Sequence, residues 1–154
     1  MKPRPPLPPG PYLVVGLVQL TAVLVLGHVV FRVPIRGSVP LIYGVSLLFI
    51  TASLALGLFI STLARAQAQA IQASVFFLLP NVLLSGFMFP REAMPALARW
   101  IGWLLPLTFY LQVVRGIILK GVGLAELWPQ ILLLVGFSVL MFVIAVRRFH
   151  KNLE

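Results

Sequence analysis

Four long stretches of this chain contain no Lys, Arg, Asp or Glu, and this feature limits the fold more than any other. The stretches cover residues 12–31, 41–60, 71–90 and 127–146. An α-helix rises about 1.5 Å per residue, so roughly 20 apolar residues are needed to cross a hydrocarbon core about 30 Å thick. Charged residues make up only 10% of the chain, which is too few for the surface of a soluble domain. The sequence therefore predicts an all-α, polytopic membrane helix bundle with four spans.

The longest connection between these stretches is too apolar for a solvated loop. It contains a run at residues 94–119 in which Arg99, Pro106 and Arg115 interrupt the apolar sequence. A spanning helix tolerates a proline or a cation poorly at such positions. We expect a re-entrant or interfacial helix pair here, before the last span, rather than a fifth crossing. Pro106 and Arg115 are predicted to shape its turn.

The remaining segments are short. Residues 1–11 are rich in proline, which lacks an amide proton and disfavours a helix. We expect a non-helical, cytoplasmic N-terminal segment at 1–11, a membrane domain at 12–148 and a cytoplasmic tail at 149–154.

The formal charge of +9 comes from residues that lie between or beyond the spans. Membrane lipids with anionic headgroups are therefore expected as partners, and nucleic acid is not. Arg147, Arg148 and Lys151 follow the last span directly, and basic residues beside a span favour the cytoplasmic side. We therefore expect both termini in the cytoplasm.

One face of the second span carries a ridge of small residues, Ser53, Gly57 and Ser61, which are spaced by four. Such ridges allow helix backbones to approach closely in a membrane. The spacing predicts helix packing, and packing within this chain is preferred over contact with a second copy.

The third span carries Pro80 and Asn81 at its midpoint, followed by Ser85. A polar side chain at this depth is expected to face protein rather than lipid. Two interpretations stay open: Asn81 and Ser85 line a transport pathway, or they make helix contacts at a tolerated kink. Gln19 in the first span is assigned the same two alternatives.

No catalytic or metal site is predicted, and the chain is not expected to be an enzyme. The acidic residues Glu92, Glu126 and Glu154 all lie outside the spans, which disfavours a small proton-coupled carrier. His28 and His150 are isolated in sequence, and there is no cysteine. The P-loop motif of nucleotide hydrolysis is absent as well.

Several motifs resemble the membrane subunit of type-2 ABC exporters, the permeases of drug and polysaccharide efflux systems. They are GLFISTLAR at 57–65, LLSGFMFP at 83–90, LPLTFY at 105–110, VRG at 114–116, LKG at 119–121 and ELWP at 126–129. In that family this region is the C-terminal two-thirds of the transmembrane domain, with two short re-entrant helices before the last span.

The resemblance implies a permease subunit of the inner membrane that forms part of an export path. Its implied partners are an ABC ATPase subunit, which binds the ATP, and a second permease copy or homologue. Family permeases usually have six spans, a coupling helix and often an extracytoplasmic domain, so the resemblance implies a truncated frame or one piece of a split permease. The alternative is a non-transporting membrane protein, a remnant or an assembly partner of such a permease.

Overall fold

The computed structural model describes residues 9–151, and helices account for most of that range. Its α-helices are α1 Pro9–Val29, α2 Val39–Leu63, α3 Gln67–Leu84, α4 Ala96–Gly102, α5 Pro106–Arg115 and α6 Leu124–Lys151. A 3-10 turn, Arg91–Ala93, precedes α4, and a π-helical turn, Gly116–Lys120, follows α5. The predicted all-α architecture is confirmed.

Four helices, α1, α2, α3 and α6, are long and apolar enough to cross a membrane. The predicted number of spans is therefore confirmed. Between α3 and α6, α4 and the segment Pro106–Lys120 meet at an angle of 86° and form what we call the bent pair. The seven residues of α4 reach only about 10 Å, so α4 alone is too short to cross the hydrocarbon core.

The predicted helix boundaries need correction at both α1 and α3. Helix α1 already includes residues 9–11, which were predicted to be non-helical, and a proline near the beginning of a helix is tolerated because the first amides have no helical acceptor. Helix α3 runs over Gln67–Leu84 rather than to Pro90, because Gly86 takes a φ of +92° that breaks the right-handed helix. Most of the predicted N-terminal segment, and the end of the predicted tail, lie outside the described residues.

The core lies where α2, the bent pair and α6 pack together. Its buried members are Ile42, Val45, Phe109, Val113, Ile117, Leu127 and Leu134. Many large apolar side chains of α1 and α3 remain exposed, including Phe76 at 80%. Surfaces of this kind are suited to contact with lipid.

Hydroxyl groups connect α2 to its neighbours. Tyr43 shares a hydrogen bond of 2.6 Å with Thr21 of α1. Tyr110 of α5 shares one of 2.8 Å with Ser46, which is buried. Such bonds between membrane helices contribute about 0.6 kcal/mol each on average, so they orient the helices more than they stabilise them.

The loop between α1 and α2 is held against the π-helical turn. The Arg36 amide donates a hydrogen bond of 3.1 Å to the Ile118 carbonyl oxygen. Gly37 leaves no space for a side chain, because a Cβ there would collide with the Ile117 carbonyl oxygen. A glycine is therefore required where the loop meets the turn.

Candidate functional site

The break between α4 and α5 is stabilised by a buried hydroxyl. Thr108 is fully buried, and its Oγ1 donates a hydrogen bond of 2.6 Å to the Gly102 carbonyl oxygen. Pro106 is the first residue of α5, where its missing amide proton costs no helical bond. A Cβ on Gly102 would lie 2.6 Å from the Leu84 carbonyl oxygen, so the bend sits directly against the end of α3.

Arg115 lies at the far end of α5 and not at the bend itself. Its Nη2 donates a hydrogen bond of 3.2 Å to the Gly86 carbonyl oxygen. This contact connects α5 to the segment that follows α3. Of the two residues predicted to shape the turn, Pro106 lies at the bend, and Arg115 instead ties the second arm to α3.

A second arginine connects the same segment to α4. The Arg91 guanidinium lies over the Trp103 ring, 4.3 Å from its centroid, and donates a hydrogen bond of 3.3 Å to the Arg99 carbonyl oxygen. Burial lowers the pKa of Arg91 from its usual range and repulsion by Arg99 lowers it further, whereas Glu92 acts in the opposite direction. The positive charge of Arg91 is thus held in a partly desolvated position.

A cavity of about 770 Å³ opens beside these contacts. The segment after α3, the second arm of the bent pair and the start of α6 all contribute to its lining, and Ser85 is one of the residues. Its cationic side chains are Arg91, Arg115 and Lys120.

Asn81 of α3 and Ser85, the residue that caps its C-terminus, are both buried. They are four residues apart and Ser85 keeps a helical conformation, so the two side chains lie on the same side. Ser85 Oγ donates a hydrogen bond of 3.1 Å to the Val82 carbonyl oxygen. The Asn81 Oδ1 atom is buried and has no hydrogen-bond partner in the described part of the chain.

Gln19 is exposed on α1, so the structure does not bury it with Asn81 and Ser85. Whether Gln19 faces a pathway depends on which helices surround α1, and α1 packs against α2 here.

The small-residue ridge of α2 does not pack within the chain as expected. Ser53, Gly57 and Ser61 are all exposed, and no atom lies within 4 Å of a Cβ placed on Gly57. The helix instead buries an adjoining face that includes Ala52 and Ala55. Both faces offer small residues, and sequence spacing alone did not distinguish them.

Three residues of the site were not singled out from the sequence. Arg91 lies over Trp103, and Tyr110 stacks on Phe49 with ring centroids 4.4 Å apart, so both act through contacts outside their local sequence. Thr108 bonds Gly102, only six residues before it, across the break between α4 and α5.

Four apolar spanning helices and a bent pair before the last of them define a multi-pass helical membrane protein. The chain belongs to the ABC-2 transporter family, because the family described as "ABC-2 family transporter protein" matches residues 10–147. The resemblance seen in the sequence motifs is therefore confirmed.

Known permeases are similar over most of the chain. Inner membrane transport permease YhhJ of Escherichia coli (strain K12) is 37% identical over 143 residues, which are 92% of this chain and 38% of YhhJ. Probable multidrug ABC transporter permease YbhS of the same strain is 31% identical over 134 residues, 86% of this chain and 35% of YbhS. ABC transporter G family member 20 of Dictyostelium discoideum is 33% identical over 143 residues, 90% of this chain and 20% of that protein.

The chain thus spans between a fifth and two fifths of the length of these relatives. No solved structure matches it.

Proposed function

We propose that this chain is a transmembrane permease subunit of an ATP-binding-cassette exporter and forms part of the export path across the inner membrane. The family match over residues 10–147 is the observation that carries the proposal. The name of YhhJ, an inner membrane transport permease, supports the location. Energy comes from a separate ATPase subunit that binds and hydrolyses ATP, and a second permease copy or homologue completes the path.

The buried face of α3 is our candidate for the pathway or for a helix contact beside it. An acceptor such as Asn81 Oδ1 that is buried without a donor costs about 1 to 3 kcal/mol. A passing ligand, or a helix of the second permease, would supply the donor and remove that cost. Ser85, one turn further on, also lines the polar cavity, so α3 connects the middle of the bundle to the bent pair.

Transport then requires two arrangements of the bundle that bind a ligand unequally. We infer that closure of the ATPases tilts α3, and that the bent pair moves with it. Two contacts support this coupling: Arg115 holds the Gly86 carbonyl oxygen, and Arg91 rests on Trp103. The pair would thereby open or close one end of the path as the helices rock.

The proposed topology places both termini in the cytoplasm and the bent pair on the outer side. Four crossings bring the chain back to the side on which it began, whereas a fifth crossing by the bent pair would not. The basic cluster Arg147, Arg148 and Lys151 supports a cytoplasmic end for α6.

Reconstitution tests the function directly. The permease is reconstituted in proteoliposomes with a candidate ABC ATPase, and ATP hydrolysis is measured with and without a panel of hydrophobic compounds. We expect co-purification of the two subunits and hydrolysis that rises with the transported compound. If the rate of ATP hydrolysis changes neither on addition of the permease nor with any compound, the non-transporting alternative is favoured.

A further inference from the structure

The loop between α1 and α2 and the π-helical turn bring basic residues together at one end of the molecule. A Cβ on Gly121 would lie 3.2 Å from Arg36 Cβ, and Lys120 immediately precedes that glycine. Arg36 and Lys120 are far apart in the sequence, and both are exposed. Arg32, which belongs to the same loop as Arg36, is exposed as well. We call Arg32, Arg36 and Lys120 the basic edge.

Exposed apolar side chains border two of these cations. Phe31, directly before Arg32, is 77% exposed, and Leu119, directly before Lys120, is 52% exposed. Apolar side chains followed by cations are typical of the level at which the hydrocarbon core meets the headgroups, because the chains stay in lipid while the charges reach water. The basic edge therefore lies at headgroup depth.

Acidic residues do not balance the charge of the basic edge. Residues 30–38 and 116–123, which form the loop, the turn and the connection to α6, contain no Asp or Glu. The acidic residue closest to Lys120 in the sequence is Glu126, at the start of α6, and it is exposed. Three cations and this one carboxylate leave two formal positive charges at this end of the molecule.

We propose that the basic edge is an interaction surface for the anionic phospholipid headgroups of the leaflet that it faces. The sequence predicted such lipids as partners without indicating where they bind. Lys and Arg side chains beside a membrane attract anionic headgroups, so these lipids are enriched at the edge over zwitterionic ones. In the proposed topology this is the outer leaflet, but the attraction depends on neither that orientation nor the ATPase.

Helix α2 offers a matched pair of reporter positions at its two ends. Val39, its first residue, is 42% exposed and lies three residues after Arg36; Leu63, its last residue, is 46% exposed and lies two residues before Arg65. A helix of 25 residues is about 37 Å long, so a short-range quencher near one end does not reach the other. Because the chain contains no cysteine, Val39→Cys and Leu63→Cys can each carry one fluorophore.

The test measures which lipids lie beside each reporter. Labelled protein is reconstituted in phosphatidylcholine vesicles with a small fraction of nitroxide-labelled phosphatidylglycerol or nitroxide-labelled phosphatidylcholine, and the ratio of fluorescence quenching by the two is determined. At Val39→Cys we expect a ratio of about two or more, because several cations attract the anionic headgroup. High salt should bring the ratio towards one, since exposed charges are screened. A ratio of one at low salt would overturn the proposal.

A double variant connects this enrichment to the basic edge. Arg36→Gln/Lys120→Gln should bring the ratio at Val39→Cys towards one and leave the ratio at Leu63→Cys unchanged. The docking of the loop should persist, because the Arg36 amide, and not its side chain, bonds the Ile118 carbonyl oxygen. An unchanged ratio at Val39→Cys, or an equal fall at both reporters, would contradict a headgroup surface at this edge.

Two single variants complete the comparison. Arg65→Gln removes an exposed cation at the opposite end of α2 and should leave the ratio at Val39→Cys unchanged. Glu126→Gln removes the carboxylate near the edge and should raise that ratio, which a loss of fold would not do. A lower ratio in Glu126→Gln, or a fall at Val39→Cys in Arg65→Gln, would count against the proposal. The vesicles hold no ATPase, so none of these outcomes bears on the proposed export function.

Discussion

Arg115 Nη2 and the Gly86 carbonyl oxygen are joined by a hydrogen bond of 3.2 Å that connects the end of α5 to the segment after α3. Gly86 reaches this position with a φ of +92°, a conformation that residues with a Cβ rarely adopt. One of the contacts that attach the bent pair to the end of α3 therefore depends on a glycine, and the predictions begin there.

Gly86→Ala should destabilise the protein by about 1 to 3 kcal/mol, because the backbone is strained and the new Cβ meets Arg91 Cγ at 3.1 Å. Thermal unfolding in detergent, followed by tryptophan fluorescence, measures the change. Gly57→Ala is the control, since that helical position has open space around it and should be neutral or slightly stabilised. Equal midpoints for the two variants would contradict a strained role for Gly86.

Thr108→Val should lower the unfolding midpoint, because it removes one of the two donors to the buried Gly102 carbonyl oxygen and leaves only the Leu105 amide at 3.2 Å. The expected loss is about 0.5 to 1.5 kcal/mol, the net contribution of one hydrogen bond. Thr51→Val provides the comparison: its hydroxyl bonds only the Leu47 carbonyl oxygen four residues back on an exposed face, and its replacement should cost little. If both valine variants unfold alike, the hydroxyl of Thr108 does not hold the bend.

Asn81→Leu separates a pathway role from a structural role. Removing a buried oxygen that has no partner should leave expression and thermal stability intact, while ATP-driven export by the complete permease falls. Gln72→Leu, on an exposed position of the same helix, should leave export unchanged. Unchanged efflux in Asn81→Leu would remove this residue from the pathway.

The topology can be tested by labelling single introduced cysteines without background reaction, because the chain contains no cysteine of its own. Cysteines that replace Arg36 and Gly121 should react with an impermeant thiol reagent in intact cells, and one that replaces Arg65 should react only after the membrane is opened. Labelling at Arg65 alone would invert the proposed orientation. Labelling at Arg36 but not at Gly121 would contradict the docking of the α1–α2 loop onto the end of the bent pair, where a Cβ on Gly121 would lie 3.2 Å from Arg36 Cβ.

The four spans could be predicted from local sequence, because a helix that crosses a lipid bilayer needs a long run of residues without charge. The end of α3 could not, since the uncharged run continues through Phe87, Met88 and Phe89, and the φ of +92° at Gly86 ends the helix before them. Asn81 was found because a polar residue in the middle of a span needs a protein neighbour. Gln19 met the same criterion, but it is exposed on α1 in the part of the chain that the structure describes.

Contacts between distant segments account for what was missed at the site. Tyr110 and Ser46 are 64 residues apart, and nothing in either local sequence indicates the other. Arg91 was counted only among the basic residues between spans. Its stacking on Trp103 and its unused Nη1 depend on the bend between α4 and α5, which folds the chain back onto α3.

The docking of Gly37 onto the π-helical turn has a mechanical consequence. With no side chain between the loop and the Ile117 backbone, and with the Arg36 amide held by the Ile118 carbonyl oxygen, the α1–α2 loop is joined backbone to backbone to the end of the bent pair. A displacement of the bent pair would therefore be transmitted directly to the α1–α2 loop.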